Sequence, residues 1–165
     1  MTSIVPASRR VIVASASLLA AAALLGMIPW QLAAAEPQCA NEAKLLQGTW
    51  QVIDLQANGE KKPDDEIKQM QIIISGDDLV IKPDGEGRRC KFTLDTAKTP
   101  KAIDLVPGDG PSKGKTFPGI YSLQDGKLRL CINIFRQHTG QRPTEFKTQP
   151  GDGTAFVTLE RVKQK

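Results

Sequence analysis

The chain has 165 residues, with 22 lysines and arginines against 18 aspartates and glutamates. Basic and acidic residues are interspersed, and the pair Arg88-Arg89 is too small to form a basic footprint, which argues against a dedicated nucleic-acid-binding surface. The length fits one domain with a single hydrophobic core once an N-terminal segment is set aside.

That N-terminal segment, residues 1–35, has the organisation of a secretory signal peptide. Arg9 and Arg10 precede an uncharged apolar run over residues 11–28, and Ala33-Ala34-Ala35 supplies an A-x-A cleavage site. The run is also near the minimum length of a spanning helix, so an uncleaved membrane anchor is the alternative. We predict cleavage after Ala35 and export to the periplasm or the extracellular space, with residues 36–165 as the mature domain.

Cleavage would leave a small domain with an almost balanced charge. Removing 35 of the 165 residues leaves 130, and removing two arginines leaves 20 basic residues against 18 acidic ones, a net charge of +2. We expect a monomer that binds no nucleic acid and, after cleavage, no membrane.

The mature chain opens with a short helix and a strand. Residues 41–46 predict one or two helical turns with Asn41 as the N-cap. From Thr49 to Leu55 the chain alternates, with Trp50, Val52 and Asp54 on one face. Asn58-Gly59 predicts a turn, and the charged stretch 60–68 predicts a surface loop or a short helix that begins at Pro63.

The rest of the chain reads as short strands between turn residues. Full closure of such a sheet removes exposed edges, which favours an up-and-down barrel over a sandwich. We therefore predict an all-β fold, an antiparallel barrel of about eight strands with a short N-terminal helix. The predicted strands are 49–55, 70–75, 79–81, 90–94, 101–106, 116–123, 127–135 and 155–162.

Neither a phosphate site nor a metal or cofactor site is indicated. The glycine-rich stretch 107–115 carries Lys113 and Lys115, but its spacing is not that of a P-loop and no helix follows it. His138 is the single histidine, and no C-x-x-C pair is present. Two of the three cysteines, Cys39, Cys90 and Cys131, can pair in an oxidising compartment, and the sequence leaves all three pairings open.

A series of ordered motifs runs from about residue 43 to residue 162. They are Leu46-Gln47-Gly48-Thr49-Trp50, Pro100-Lys101-Ala102-Ile103-Asp104-Leu105, Gly110-Pro111 with Lys113-Gly114-Lys115, Gly119-Ile120-Tyr121, Leu128-x-Leu130-Cys131, Arg142-Pro143-Thr144-Glu145-Phe146 and Leu159-Glu160-Arg161. In this order they resemble a family of uncharacterised lipocalin-like domains typical of planctomycete bacteria. The resemblance implies a lipocalin-like β-barrel in an exported protein and supplies no known reaction.

The resemblance also implies roles for individual residues. In lipocalins an arginine near the end of the last strand packs on the first-strand tryptophan, so Arg161 is expected over Trp50, with Gly48 beside them, closing one end of the barrel. Cys131 fits the family pattern, whereas Cys39 and Cys90 look like additions. This favours a Cys39–Cys90 disulfide with Cys131 left as a thiol.

Four polar residues inside the motifs are candidate ligand-binding residues. Asp104, Tyr121, Arg142 and Glu145 are predicted at the barrel mouth, where they would hold the polar end of a ligand. The alternative is a salt bridge of Arg142 with Asp104 or Glu145 that fixes loops over the barrel.

These features favour an exported binding module for a small apolar ligand. Its interior would be lined by apolar strand residues such as Val52, Ile72, Ile74, Phe92, Leu130 and Ile132. The alternative is a structural or protein-interaction domain whose barrel is filled by side chains. An enzyme using Tyr121, Arg142 and Cys131, with His138 as a base, ranks last because no catalytic constellation is visible.

Overall fold

The computed structural model describes residues 35–82, 87–134 and 141–163. Outside these ranges lie residues 1–34 of the predicted signal peptide, His138, and the stretch Pro83-Asp84-Gly85, whose sequence predicts a turn. The described residues form two helices, α1 (Ala35–Leu46) and α2 (Asp64–Ile67), and nine strands. The strands are β1 (Gly48–Ala57), β2 (Glu60–Lys61), β3 (Gln71–Ser75), β4 (Asp78–Lys82), β5 (Arg88–Asp95), β6 (Ala102–Pro107), β7 (Phe117–Gln124), β8 (Lys127–Asn133) and β9 (Thr154–Arg161).

Eight of these strands close into an antiparallel up-and-down barrel. Each strand from β3 to β8 pairs with the next one in the chain, and β1 closes the barrel by pairing with both β3 and β9. The closing register places Trp50 opposite Ile72 on one side and opposite Arg161 on the other. The predicted fold is thereby confirmed, and the two-residue β2 adds only a short hairpin to the end of β1.

Two of the hairpin turns follow directly from their sequences. Asn58-Gly59 and Asp125-Gly126 are two-residue loops in which both residues have positive φ, at 54° and 83° in the first and 53° and 71° in the second. This is the conformation that Asn-Gly and Asp-Gly favour, and its twist matches that of the flanking strands. Both dipeptides, Asn58-Gly59 and Asp125-Gly126, predict a turn from the sequence alone, and both predictions are confirmed.

The first strand departs from the predicted alternation at a bulge. The register between β1 and β9 shifts between Val52 and Asp54, which leaves Ile53 as the extra residue, 38% exposed. A bulge changes which residues face inward beyond it. Asp54 therefore does not share a face with Trp50 and Val52, and Leu55 packs against the core instead.

Helix α1 covers one end of the barrel, which we call the closed end. Its described part extends from Ala35 to Leu46, so Asn41 lies inside the helix and the prediction of Asn41 as its N-cap is wrong. The helix is held on the barrel by contacts on both sides of Asn41: Cys39 lies 3.2 Å from the Thr96 hydroxyl, and Glu42 forms an ion pair with Lys101. These tertiary contacts extend the helix beyond its local N-capping signal.

The closed end is completed by Trp50 and Arg161. The indole is fully buried and donates to the Leu46 carbonyl at 2.8 Å, while the Arg161 guanidinium lies 4.3 Å from the ring centroid. The same guanidinium donates to the carbonyls of Leu45 and Gln47. Gly48 has a φ of +122°, and a Cβ there would come within 2.7 Å of Arg161. The Gly-Thr-Trp motif is therefore structural, and the predicted cation–π contact is present.

Candidate ligand-binding cavity

The opposite end of the barrel, which we call the open end, contains a cavity of about 840 Å³. It is surrounded by the segment between β1 and β3, the loop between β6 and β7, and the adjoining ends of β4, β5, β8 and β9. Its volume lies within the range of about 300–1,000 Å³ that is typical of small-molecule sites. The barrel is therefore hollow over part of its length.

The cavity walls are mainly aliphatic. Inward-facing residues of several strands contribute, including Val52 and Leu55 of β1, Ile72 of β3, Ile81 of β4, Leu130 of β8 and Val157 of β9. Of the six residues predicted to line the interior, all are buried in the core, and Val52, Ile72, Leu130 and Ile132 border the cavity. Ile74 and Phe92 pack in the filled part of the barrel.

The hollow half and the filled half differ in the side chains that point inward. Trp50, Tyr121, Leu128 and Leu159 are at most 1% exposed, belong to the core cluster and do not border the cavity. Large aromatic side chains bury about 150–250 Å² each and fill a narrow barrel. At the open end the inward positions are taken mainly by aliphatic side chains such as Leu55 and Ile81, with Ala155 among them, and these border a space that stays empty between opposite walls.

Two charged residues stand where the cavity opens. Arg88, the first residue of β5, pairs with the cavity-lining Ile81, and Asp109 lies in the β6–β7 loop. Both act on Cys90, a buried cavity-lining thiol. Burial raises the pKa of this thiol, the Asp109 charge raises it further, and the Arg88 charge lowers it. The mouth of the cavity thus carries one cation and one anion among its described residues.

The four predicted ligand-binding residues do not line this cavity within the described part of the chain. Asp104 alternates with the core residues Ile103 and Leu105 along β6, so it faces away from the barrel interior. Its carboxylate lies 2.8 Å from the Arg142 guanidinium, which also donates to the carbonyls of Ile103 and Gly119 at 3.1 and 2.6 Å. This is the arrangement of the alternative interpretation, an ion pair that fixes a loop on the barrel.

Tyr121 and Glu145 are placed elsewhere. The Tyr121 ring belongs to the closed-end core, and its hydroxyl lies 3.3 Å from the Glu42 carboxylate of α1, to which it donates. Burial, followed by the charge of Glu42, raises the pKa of this hydroxyl. Glu145 pairs with Lys147 in the exposed β8–β9 segment.

The sequence contained a signal for the mouth residue that was missed. Arg88 precedes Cys90 and Phe92 at intervals of two, and this period places all three on the inward face of β5. The sequence analysis treated Arg88 and Arg89 as a surface pair, and that interpretation overlooked the inward direction of Arg88. Asp109 lies in an irregular loop, where no period predicts the direction of a side chain.

The predicted disulfide between Cys39 and Cys90 is wrong, since all three cysteines are free thiols. The Cys39 sulfur lies 3.8 Å from the carbonyl of Leu94. Leu94 stands four residues along the strand from Cys90, about 13 Å at the usual strand rise. A disulfide requires Cα atoms within about 7 Å of each other, so these two thiols are at different levels of the barrel.

Cys131 is buried on the outer flank of the barrel beneath the β8–β9 segment. Its thiol donates to the Lys147 carbonyl at 3.5 Å, and burial raises its pKa to about 11. A thiol with such a pKa is almost fully protonated at neutral pH and is a poor nucleophile. The environment of Cys131 therefore gives no support to a nucleophilic role.

The described ranges contain neither a cluster of metal-binding side chains nor a helix that could cross a membrane. There, no three histidine, cysteine, aspartate or glutamate side chains are grouped so as to hold a metal ion. Neither helix in these ranges is long and apolar enough to cross a bilayer.

No protein-family model, curated protein or solved structure matches this chain.

Proposed function

We propose that this protein is an exported binding module for a small apolar ligand, held inside the open end of the barrel. The observation that supports this proposal is the cavity of about 840 Å³ with aliphatic walls. Burial of apolar surface contributes roughly 25 cal/mol per Å², so a ligand that covers these walls gains most of its affinity from the hydrophobic effect. Export is supported by the signal-peptide pattern of residues 1–35.

The cavity favours this function over the filled-barrel alternative. A domain that works only through its surface has no need of an empty interior, and filling the interior would add packing contacts and stability. Among the described residues, the closed-end side chains of Trp50, Tyr121 and Leu128 are at most 1% exposed, while the open end keeps a space of ligand size. A filled barrel would have shown core side chains meeting across both halves.

Binding can be tested first with an apolar fluorescent dye, N-phenyl-1-naphthylamine, added to protein purified from cells that express the full chain. We expect saturable fluorescence enhancement by the wild type. Ala155→Phe places a benzyl group inside the cavity, beside Ala57 and Ile132, and should weaken dye binding about tenfold or more. Thr158→Phe, on the outward face of the same strand, is the matched control and should bind like the wild type.

Native mass spectrometry of the same preparation gives an independent readout. A co-purifying small molecule would support the proposal and identify its chemical class, and the chain mass would test cleavage after Ala35. The proposal fails if the dye does not bind saturably, or if Ala155→Phe and Thr158→Phe lower the affinity for the dye equally. Either result would turn attention to a role through the protein surface.

A further inference from the structure

We infer, on the basis of the proposed binding function, that the ligand is a single-chain amphipathic molecule with an anionic head group. Its apolar chain would lie in the cavity, and its head group would meet the Arg88 guanidinium at the mouth. Three features of the described residues carry this inference: where the charges stand, how Arg88 is held, and which hydrogen-bond donors it leaves unused.

The distribution of charge orients the ligand. Among the described residues that line the cavity, Arg88 and Asp109 are the charged ones, and both stand at the mouth. The deeper walls are formed by aliphatic side chains such as Val52, Ile72 and Leu130. A charged group placed among those walls would lose its hydration without a partner, which is costly. An amphipathic ligand therefore binds with its chain inward and its head group outward.

Arg88 is held in a position to contact that head group. It pairs with Ile81 across the β4–β5 ladder, and both residues line the cavity. Arg89, the next residue, pairs with Val80 and lies on the opposite face of the strand. These two arginines are neighbours in the chain and carry the same charge, but of the two only Arg88 is directed to the cavity.

The Arg88 guanidinium has its donors available. Within residues 35–82, 87–134 and 141–163 it makes no ion pair and donates no hydrogen bond, whereas Arg142 and Arg161 are each used to hold backbone carbonyls. A guanidinium presents five N–H donors in a planar fork that matches a carboxylate or phosphate. An anionic head group supplies the acceptors that this fork lacks.

The carboxylate of Asp109 should repel an anionic head group, so Arg88 and Asp109 are expected to have opposite effects on its affinity. It belongs to a loop with glycine on each side, Gly108 and Gly110, and its charge acts on Cys90 together with that of Arg88. An anion at the mouth is repelled by Asp109 and attracted by Arg88. Neutralising Arg88 should therefore weaken anion binding, and neutralising Asp109 should strengthen it.

The experiment uses three probes with one chain length and different head groups: dodecanoate, dodecan-1-ol and dodecylammonium. Each displaces N-phenyl-1-naphthylamine from the wild type, Arg88→Gln, Arg89→Gln and Asp109→Asn. We expect Arg88→Gln to lower the affinity for dodecanoate about two- to fivefold, the range that solvent-exposed ion pairs contribute. The affinity for dodecan-1-ol should stay unchanged. Arg89→Gln removes the same charge and should leave the affinities for both probes unchanged. Asp109→Asn should raise the affinity for dodecanoate about twofold.

The outcomes separate this inference from the function on which it rests. If dodecan-1-ol binds but Arg88→Gln and Arg89→Gln affect dodecanoate equally, the head-group contact is overturned and the apolar cavity remains. Preference for dodecylammonium, lost in Asp109→Asn, would also overturn it by assigning the head group to Asp109. If none of the three probes displaces the dye and the dye itself binds no better than to Ala155→Phe, the binding function fails and this inference fails with it.

Discussion

The two ends of the barrel are built from the same eight strands, yet one is filled and the other is hollow. At the closed end Trp50, Tyr121 and Leu159 occupy the interior, and α1 covers it. At the open end the inward positions carry aliphatic residues such as Val52 and Val157, and a space of about 840 Å³ is left between them. One barrel is thereby divided along its axis into a packed base and a cavity.

The polar groups follow the same division. At the closed end they are used inside the protein: Glu42 pairs with Lys101 and accepts from Tyr121, and Arg161 is bonded to backbone carbonyls. At the open end Arg88 lines the cavity without a partner in the described residues. The comparison suggests that the closed end determines stability and the open end determines binding, and the following experiments test that separation.

The largest expected effect comes from truncating matched leucines of β8. Leu128 is fully buried in the closed-end core, and Leu130, two residues along on the same inward face, borders the cavity. Leu128→Ala leaves a new void among packed side chains, and we expect a loss of about 4 kcal/mol in the free energy of unfolding. Leu130→Ala truncates an equally buried side chain, 1% exposed, that borders the existing cavity, so it encloses less new void, and we expect a loss of about 2 kcal/mol.

Urea denaturation at equilibrium measures both values in the free protein. Equal losses would mean that the cavity wall is packed as tightly as the base, which would contradict the division. Leu130→Ala should also change dye affinity, whereas Leu128→Ala should not do so while the protein remains folded.

The sequence was sufficient for the strands and for the closed end. Alternation predicted the inward face of β8, the Asn58-Gly59 and Asp125-Gly126 turns were predicted from their dipeptides, and Trp50 with Arg161 followed from the resemblance. These features depend on local periods, or on a pair whose geometry is fixed by barrel closure.

The polar site residues and the cysteines were harder to predict, because their roles depend on tertiary placement. Asp104 and Arg142 occur in motifs, but only the folded chain shows that they meet on the outer flank of the barrel. The Cys39–Cys90 pairing failed because sequence distance carries no information about the level of a residue along the barrel. The bulge at Ile53 likewise reverses the faces of β1 without a local signal.

A second prediction concerns a buried group outside both ends, the Cys131 thiol on the barrel flank. Burial raises its pKa to about 11, against 9.0 for an ordinary thiol. Between these values the unfolded chain releases a proton that the folded chain retains, so the contribution to stability is full below pH 9 and falls as the pH rises to 11. Relative to Cys131→Ala, the wild type should lose on the order of 2 kcal/mol across this window.

Denaturation of both proteins at several pH values checks the sign and the size, because the other titrating groups are common to both. A constant difference between them from pH 8 to 11 would show that the thiol is not buried from solvent as described. Dye binding at neutral pH should be the same in both proteins, since Cys131 does not border the cavity.

The smallest effect, and the sharpest test of the separation, is expected from Tyr121→Phe. The ring stays in the closed-end core, and only the hydrogen bond to Glu42 is lost. We expect the free energy of unfolding to fall by about 1 kcal/mol and the affinity for dodecanoate to stay unchanged. Arg88→Gln is its counterpart, with an expected loss of affinity and an unchanged free energy of unfolding, because Arg88 makes no bond within the described residues. If Tyr121→Phe weakened ligand binding as Arg88→Gln should, the hydroxyl would act on the ligand after all, and the two ends of the barrel would not be independent.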